Sequence, residues 1–292
     1  MNANILRKPS SLGAGRAVGA CLLAYVALIV SQLAALLAGQ GLVNAGLPAA
    51  AGSAVSGVLY VALALLCAHF ISSKLMKTSL ASCRAPGKPS VKAVWAAAAV
   101  LLPVLVIFLA ARTPGSWSVT AMSPEMLSYT IVDAVVYYGL AAGIVEEVVF
   151  RGIIMTALER RWNKAVAVVV PSVIFALSHV IGAELDFLSF LQLLAAGSLV
   201  GVLFSFVTYA SGSVWNSALM HCVWNILMVG GICCIGTEKN DLFLFNYVLE
   251  SRDFLITGGD FGIEASVFSI IGYALFLALA LAVYRRRVRR AQ

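Results

Sequence analysis

Ionisable and amide side chains interrupt three long apolar segments of this chain. A charge placed in the middle of a lipid bilayer costs about 2.5–3.5 kcal/mol on insertion scales, so such residues are rare and usually functional. A carboxylate and two imidazoles at low dielectric can activate a water molecule and stabilise a developing oxyanion. The candidate site residues are, in chain order, Glu146, Glu147, Arg151, His179, His221 and Asn225.

Helical spacing distinguishes the two adjacent glutamates. Glu147 and Arg151 are four residues apart, so they lie on one face of a helix and can form an ion pair. Glu146 is rotated by about 100° from Glu147 at 3.6 residues per turn. The spacing therefore predicts that Glu146 keeps an unpaired carboxylate. His221 and Asn225 share a helix face for the same reason.

The depths of these polar residues in their segments are similar. At a rise of about 1.5 Å per residue, Glu146, His179 and His221 each lie about 15–22 Å from the polar residues that end their segments. They can therefore meet at one level of the membrane. Asp133 lies close to the opposite end of the Glu146 segment, and we expect it near the membrane interface or in a capping role.

Two chemistries are open to this set of residues. Glu146 can take a proton from water while His179 orients that water, and His221 with Asn225 can supply donors to an oxyanion. These are the parts needed to hydrolyse an amide. Two histidines and one glutamate are also a known catalytic zinc ligand set, here Glu146, His179 and His221. The soluble zinc motif, with two histidines flanking a glutamate on one helix, is absent from the sequence.

The three motifs resemble those of a known protease family. Glu-Glu-x-x-x-Arg at 146–151, Phe-x-x-x-His at 175–179 and His-x-x-x-Asn at 221–225 occur in this order on successive apolar segments. They resemble the motifs of the CAAX-protease and bacteriocin-processing (CPBP, or Abi) family, intramembrane proteases related to the prenyl-protein endopeptidase. The motifs occupy about 80 residues, and the similarity in hydropathy extends over about 100–285.

The resemblance implies a role for each motif residue. It makes Glu146 the general base and His179 its assistant. It assigns stabilisation of the oxyanion to His221 and Asn225. The family is compatible with either a metal-free glutamate mechanism or a metalloprotease mechanism. A divalent metal such as zinc is therefore an open alternative, and no other cofactor is expected.

The resemblance also implies that Glu147 and Arg151 hold the site together. Asp133 and the aromatic residues near the motifs receive no catalytic role.

Composition requires that a bilayer surround most of the chain. Hydrophobic residues make up 61% of the 292 positions, charged residues make up 11%, and the mean hydropathy is +0.96. Soluble domains are about 45–50% apolar and 25% charged. Eight apolar segments are long enough to cross a membrane. They are about 17–39, 50–72, 93–111, 129–157, 165–182, 187–209, 213–235 and 265–284.

The distribution of basic residues predicts the orientation of these spans. Sixteen of the twenty Lys and Arg residues fall on the N-terminal segment, on the loops after spans 2 and 4, and on the C-terminal segment. The positive-inside rule places such loops in the cytoplasm. We therefore predict an all-α, polytopic membrane protein of about eight transmembrane helices with both termini cytoplasmic. Residues 1–292 form a single domain with a protease-like core at about 129–235.

Several other functions are disfavoured or remain as alternatives. The net charge of +7 reflects loops facing anionic lipid, and the chain has no motif for binding nucleic acid. The expected partners are the bilayer and a peptide or protein substrate, which can itself be membrane-anchored. The expected location is a bacterial inner or plasma membrane. The alternatives are a proton-coupled transporter and a non-catalytic immunity or scaffold protein.

Overall fold

The computed structural model describes residues 11–290 and residue 292 as a bundle of helices with a small sheet at one end. Arg7 and Lys8, which contribute to the predicted orientation, lie outside the described residues. The helices are α1 (Ala14–Asn44), α2 (Ala49–Phe70), α3 (Ala93–Ala110), α4 (Pro124–Val132), α5 (Gly143–Glu147), α6 (Met155–Arg161), α7 (Lys164–Ser178), α8 (Phe187–Ser211), α9 (Val214–Trp224), α10 (Phe254–Thr257) and α11 (Val267–Arg289).

The helical stretch that carries the glutamates alternates between α-helical and π-helical turns. Helices α4, α5 and α6 are joined without a break by the π-helical segments Asp133–Ala142 and Val148–Ile154, and residues 124–161 together form one composite helix. Two further π-helical segments, Ile71–Leu75 and Asn225–Val229, continue α2 and α9. π-helical turns are rare and frequently occur at functional sites. Two of the three candidate motifs therefore span a junction between α-helical and π-helical turns.

Side-chain caps fix where several of the helices begin. The Ser123 side chain accepts a hydrogen bond from Met126 N at the start of α4, where Pro124 occupies the first turn. Asn163 caps α7 in the same way, and Asp186 caps α8. Helix α8 ends at Gly212, whose φ of 85° is the left-handed conformation that favours glycine.

The number of membrane spans is confirmed only in part. Among the described residues, five helices are long and apolar enough to cross a membrane. The predicted spans 165–182 and 213–235 correspond to the shorter apolar helices Lys164–Ser178 and Val214–Val229. The predicted span 129–157 lies within the charged composite helix. The total of eight spans and the cytoplasmic termini stay predictions.

The outer surface of the bundle is apolar. Large hydrophobic side chains project outward from the long helices and would be unfavourable in water. This surface, together with the five long apolar helices, identifies a membrane protein. Examples with more than half of their surface exposed are Leu22, Leu37, Val58, Leu101 and Leu275.

A small sheet lies beyond the ends of the helices. The prediction of an all-α chain did not include this sheet. In the described part of the chain the strands are β1 (Gly115–Val119), β2 (Cys233–Gly236) and β3 (Phe245–Leu249). Strand β3 is central, antiparallel to β1 and parallel to β2. Strand β2 begins where span 7 was predicted to end, because the helix stops at Val229. The bundle itself is helical, as predicted.

The candidate site lies where two hydrophobic clusters meet. One cluster includes residues of α1, α2, α7 and the composite helix, and the other includes residues of α3, α8, α9, α11 and the sheet. Phe175 belongs to the first, and Phe204 and Trp224 belong to the second. All three side chains line the same cavity. The polar residues of the site are therefore enclosed by packed apolar side chains.

Candidate active site

Close packing of α5 against α9 brings the glutamates to His221. A Cβ atom added to Gly143 would lie 2.8 Å from Cys222 Sγ and 2.9 Å from Cys222 N. Contacts this short do not occur between real side chains, so only glycine allows this approach. Small residues play the same part generally where membrane helices pack closely.

We expect Gly143→Ala to destabilise the protein and to displace Glu147 from His221. Overpacking of a tight interface costs about 1–3 kcal/mol. The thermal unfolding midpoint in detergent should fall, and any hydrolytic activity should fall with it. Gly41→Ala on α1 is the matched control, because a Cβ there meets nothing within 4 Å. Equal midpoints for the two variants would contradict the proposed packing constraint.

The predicted ion pair between Glu147 and Arg151 forms and is fully buried. Arg151 Nη1 donates to Glu147 Oε1 at 2.8 Å, and the two side chains are 1% and 0% exposed. Arg151 Nη2 donates to the carbonyl oxygen of Gly201 on α8 at 3.2 Å. The guanidinium also lies over the rings of Phe175 and Phe204, with its carbon 4.6 and 5.4 Å from their centroids. Arg151 therefore links the composite helix to α7 and α8.

His221 is held between both glutamates. Its Nδ1 lies 3.2 Å from Glu147 Oε1, and its Nε2 lies 3.8 Å from Glu146 Oε2. A carboxylate accepts hydrogen bonds, so the contact with Glu147 places a proton on Nδ1. The ring stacks on Phe204 at a centroid distance of 5.1 Å. Glu147 therefore fixes the orientation of His221, in addition to its pairing with Arg151.

Glu146 has the free carboxylate that helical spacing predicts. Its side chain is 20% exposed, whereas that of Glu147 is 0% exposed. Within the described part of the chain, Glu146 Oε2 has no hydrogen-bond partner, and its distance to His221 Nε2 exceeds hydrogen-bond length. Glu146 lines the cavity. This carboxylate is therefore available to a water molecule or a substrate.

His179 presents one ring nitrogen to the cavity because the backbone engages the other. His179 Nδ1 lies 2.7 Å from the carbonyl oxygen of Phe175. A carbonyl only accepts hydrogen bonds, so Nδ1 carries the proton and Nε2 of the neutral ring is an acceptor. His179 follows the last residue of α7 and is half-buried. It can therefore accept a hydrogen bond from a bound water.

Asn225 lies one helical turn beyond His221, at the first residue of the π-helical segment. Its Nδ2 donates to the carbonyl oxygen of Tyr138 at 3.0 Å. This contact orients the amide and leaves its second N–H for another acceptor. His221 and Asn225 both line the cavity.

The cavity that joins these side chains has a volume of about 220 Å³. Its polar lining includes a carboxylate that sequence analysis missed, Glu264, and an indole to which no function was assigned, Trp224. Trp224 Nε1 donates to Glu264 Oε1 at 2.6 Å. In the sequence Glu264 is only a single acid beside the start of an apolar segment, so nothing local distinguishes it.

The three side chains considered as metal ligands do not converge on one point in this structure. Among residues 11–290 and 292, no three His, Cys, Asp or Glu side chains converge closely enough to hold a metal ion. Glu146, His179 and His221 line one cavity without forming such a group. The cysteines add nothing here, since all six are free thiols outside the cavity lining.

Asp133 lies outside the active-site cavity and inside a continuous helix, so it caps no helix end, and its position near the membrane interface stays a prediction. It is half-buried and accepts a hydrogen bond from Ser53 Oγ at 2.6 Å. It lines a second cavity of about 200 Å³ together with Tyr129 and Tyr137. Tyr137 also lines the first cavity, where Gln32 Nε2 donates to its hydroxyl.

Comparison with known proteins supports the resemblance carried by the motifs. Residues 127–227 match the family model described as type II CAAX prenyl endopeptidase Rce1-like. This segment is Rce1-like. The family is consistent with the CPBP proteases, so that resemblance is confirmed. The chain has no significant match among curated proteins or among solved structures.

The Rce1-like segment covers about a third of the chain and contains all six candidate residues. It includes most of the composite helix together with α7, α8 and α9. Part of the cavity wall lies outside it, on the loop before α11 and on α11 itself. Glu264, Phe261 and Tyr273 belong to this outer part.

Proposed function

We propose that this chain is an intramembrane endopeptidase that hydrolyses peptide bonds with a water molecule activated by Glu146 and His179. The observation that carries the proposal is the carboxylate of Glu146, whose Oε2 accepts no hydrogen bond from the described residues, in one cavity with His179, His221 and Asn225. The Rce1-like segment is the second support, because the family is a protease family. The proposed catalytic core is about 129–235.

In the first step, water attacks the carbonyl carbon of the scissile bond. Glu146 takes one proton from the water as the water oxygen bonds to the carbonyl carbon. His179 accepts a hydrogen bond from the same water through Nε2. A positioned general base of this kind contributes about 10²–10⁴-fold to the rate. Apolar side chains around Glu146 keep bulk water from competing for its proton.

In the same step, negative charge develops on the carbonyl oxygen. The free N–H of Asn225 and the Nε2 of His221 are the donors on the cavity wall. His221 Nε2 can donate to the oxyanion when both ring nitrogens carry a proton, and the contact of Nδ1 with Glu147 Oε1 holds the ring in place. Donors fixed before the reaction stabilise the oxyanion without a cost of reorientation.

The walls of the cavity suggest the substrate class. Leu193, Ala196 and Val200 on α8 give one wall an apolar surface. Such a wall fits aliphatic side chains, as in a peptide whose C-terminal residues are Cys-aliphatic-aliphatic-X. We propose a peptide or protein substrate of this kind, membrane-anchored through a prenyl group, in a bacterial plasma membrane.

The direct test uses purified protein reconstituted in liposomes. The probe is an internally quenched peptide that ends in a prenylated Cys-aliphatic-aliphatic-X sequence, and the same peptide without the prenyl group is assayed beside it. We expect a gain of fluorescence and a single cut site by mass spectrometry. Folded protein that cleaves neither peptide would contradict the proposal. Cleavage of both at equal rates would contradict only the prenyl preference.

Asn225→Ala should lower kcat for this peptide by about 10²–10³-fold and leave KM almost unchanged. The reason is that an oxyanion donor acts in the transition state and not on the bound substrate. Initial rates over a range of peptide concentrations separate the two constants. Asn44→Ala, at the exposed end of α1, is the control and should match the parent protein. A rise in KM at constant kcat would instead indicate a substrate-binding role.

A proton-coupled carrier is the competing function, and one observation favours it. The cavity containing Asp133 and the cavity containing Glu146 share Tyr137, so polar groups extend from one to the other. A carrier would move protons across liposomes when substrate is added, and it would not cut peptide. A pH-sensitive dye inside the liposomes, measured in the cleavage assay itself, distinguishes the two functions.

A further inference from the structure

A second carboxyl group reaches the proposed active site from outside the Rce1-like segment. Glu264 lies on the loop between α10 and α11 and lines the same cavity as Glu146, His179 and His221. The family-model match ends at residue 227. Glu264 is not one of the six motif residues, and the mechanism proposed above gives it no role.

The loop holds Glu264 in a fixed position. Its Oε1 accepts the hydrogen bond from Trp224 Nε1, and its carbonyl oxygen accepts one from the hydroxyl of Tyr273 on α11 at 3.2 Å. Gln192 Nε2 on α8 donates to the next carbonyl, that of Ala265, at 2.9 Å. Contacts from three helices therefore hold Glu264 and its neighbour Ala265 in place, whereas an ordinary acidic side chain on the surface is mobile.

A fixed contact also links this loop to the catalytic histidine. Phe261 packs edge-on against His179, with ring centroids 6.4 Å apart. Trp224, which binds Glu264, is the residue before Asn225. The loop that carries Glu264 therefore contacts both His179, through Phe261, and the helix of Asn225, through Trp224, and Glu264 lines the cavity that these residues share.

Peptide hydrolysis needs a proton donor that the roles given above do not supply. The nitrogen of the scissile bond leaves as an amine only if it is protonated, since an amide anion is far too basic to leave. Glu146 holds the proton taken from water, but that proton lies on the side from which water attacks. A separate acid that faces the nitrogen could protonate it directly, and the proton on Glu146 would not have to cross the site.

We infer that Glu264 is the general acid that protonates the leaving nitrogen. This inference rests on the proposed function. When the tetrahedral intermediate collapses, its C–N bond breaks and the bonding electron pair stays on nitrogen. The carboxyl proton of Glu264 is transferred to that nitrogen, and the products are a carboxylic acid and an amine. Glu146 then releases its proton to solvent, and Glu264 regains one from solvent.

The surroundings of Glu264 favour the protonated form that a donor needs. Burial raises the pKa of this carboxyl above its usual value, and the negative charge of Glu146 acts in the same direction. The hydrogen bond from Trp224 and the charges of His179 and His221 oppose this rise. Burial is the largest of these effects. The hydroxyl of Tyr273 donates to the backbone carbonyl of Glu264 and leaves the carboxyl group free of that contact.

The test compares a peptide bond with a thioester at the same position. A thiolate leaves without protonation because thiols are acidic, with a pKa of about 8.5, whereas an amine does not. Glu264→Gln keeps the size of the side chain and the oxygen that accepts from Trp224, and removes the acid. We expect kcat for the peptide to fall about a hundredfold, and kcat for the thioester to stay close to that of the parent.

Matched variants make each outcome decisive. Glu250→Gln, exposed in the segment between β3 and α10, should behave as the parent on both substrates. Glu146→Gln should lose both activities, since water must attack in either case. Trp224→Phe, which releases Glu264, should lose peptide cleavage more than thioester cleavage.

Two results would overturn the inference about Glu264. One is parental peptide cleavage by Glu264→Gln, and the other is an equal loss on both substrates. In both cases the proposed endopeptidase function still stands. Failure of the parent protein to cleave either substrate would instead remove the proposed function, so the two failures are distinguishable.

Discussion

Glu146→Gln should lower the rate of peptide cleavage by at least about a hundredfold while the protein stays folded. The amide cannot accept a proton from water, so the general base is lost, and a positioned base contributes about 10²–10⁴-fold. The change is isosteric, and the replaced oxygen Oε2 has no hydrogen-bond partner among the described residues, so little stability is lost. Initial rates on the quenched peptide measure the effect, and the thermal unfolding midpoint measures the fold.

Glu125→Gln provides the control for this variant. Glu125 lies in the first turn of α4, on the same composite helix, and is exposed. It should retain the parental rate. Full activity of the Glu146 variant would contradict the proposed mechanism. If His179→Ala and His221→Ala were also as active as the parent in the cell, the chain would be a non-catalytic scaffold or immunity protein.

Arg151→Met should strongly destabilise the protein. Removal of one partner from a buried ion pair leaves an uncompensated charge, which costs about 3–5 kcal/mol. Glu147 is fully buried, and its only charged partners among the described residues are Arg151 and His221. We expect a large fall in the thermal unfolding midpoint and in the yield of folded protein from detergent extracts.

The double variant Glu147→Gln with Arg151→Met should recover most of that stability. Both charges are then absent, and a Gln oxygen still accepts the hydrogen bond from His221 Nδ1. Arg151→Lys should lie between the parent and the single variant. It keeps the charge but loses the planar group that contacts Gly201 and the rings of Phe175 and Phe204. Parental stability of Arg151→Met would show that the pair is not structural.

Local spacing was enough to predict some of these contacts. Glu147 and Arg151 are one turn apart, and their ion pair forms although Arg151 lies in a π-helical segment. The free carboxylate of Glu146 follows from its rotation relative to Glu147. The sequence did not indicate that His221 contacts Glu147 as well as Glu146. That contact depends on how closely α5 and α9 pack, which Gly143 permits.

Other features depend on residues far apart in the chain. Strands β1 and β3 pair Gly115 with Leu249, across more than a hundred residues, and neither strand shows a strong apolar pattern. The π-helical segments have no distinctive composition, because the same apolar residues suit an α-helix. Glu264 enters the cavity only because its loop folds back over α8 and α9. Neither composition nor periodicity carries information of this kind.

The unpaired carboxylate and its two histidines were evident in the sequence as residue types on apolar segments. The sequence by itself determined that the chain is a helical membrane protein, because transfer into lipid and helical periodicity are local properties. Its three motifs also carried the resemblance to the CAAX-protease family. The tertiary structure decided which side chains meet. It placed Glu147 in contact with His221, left Glu146 Oε2 without a hydrogen bond from the described residues and brought Glu264 to the wall of the same cavity. Helix packing and loop closure decide these positions, because both are set by contacts between distant segments.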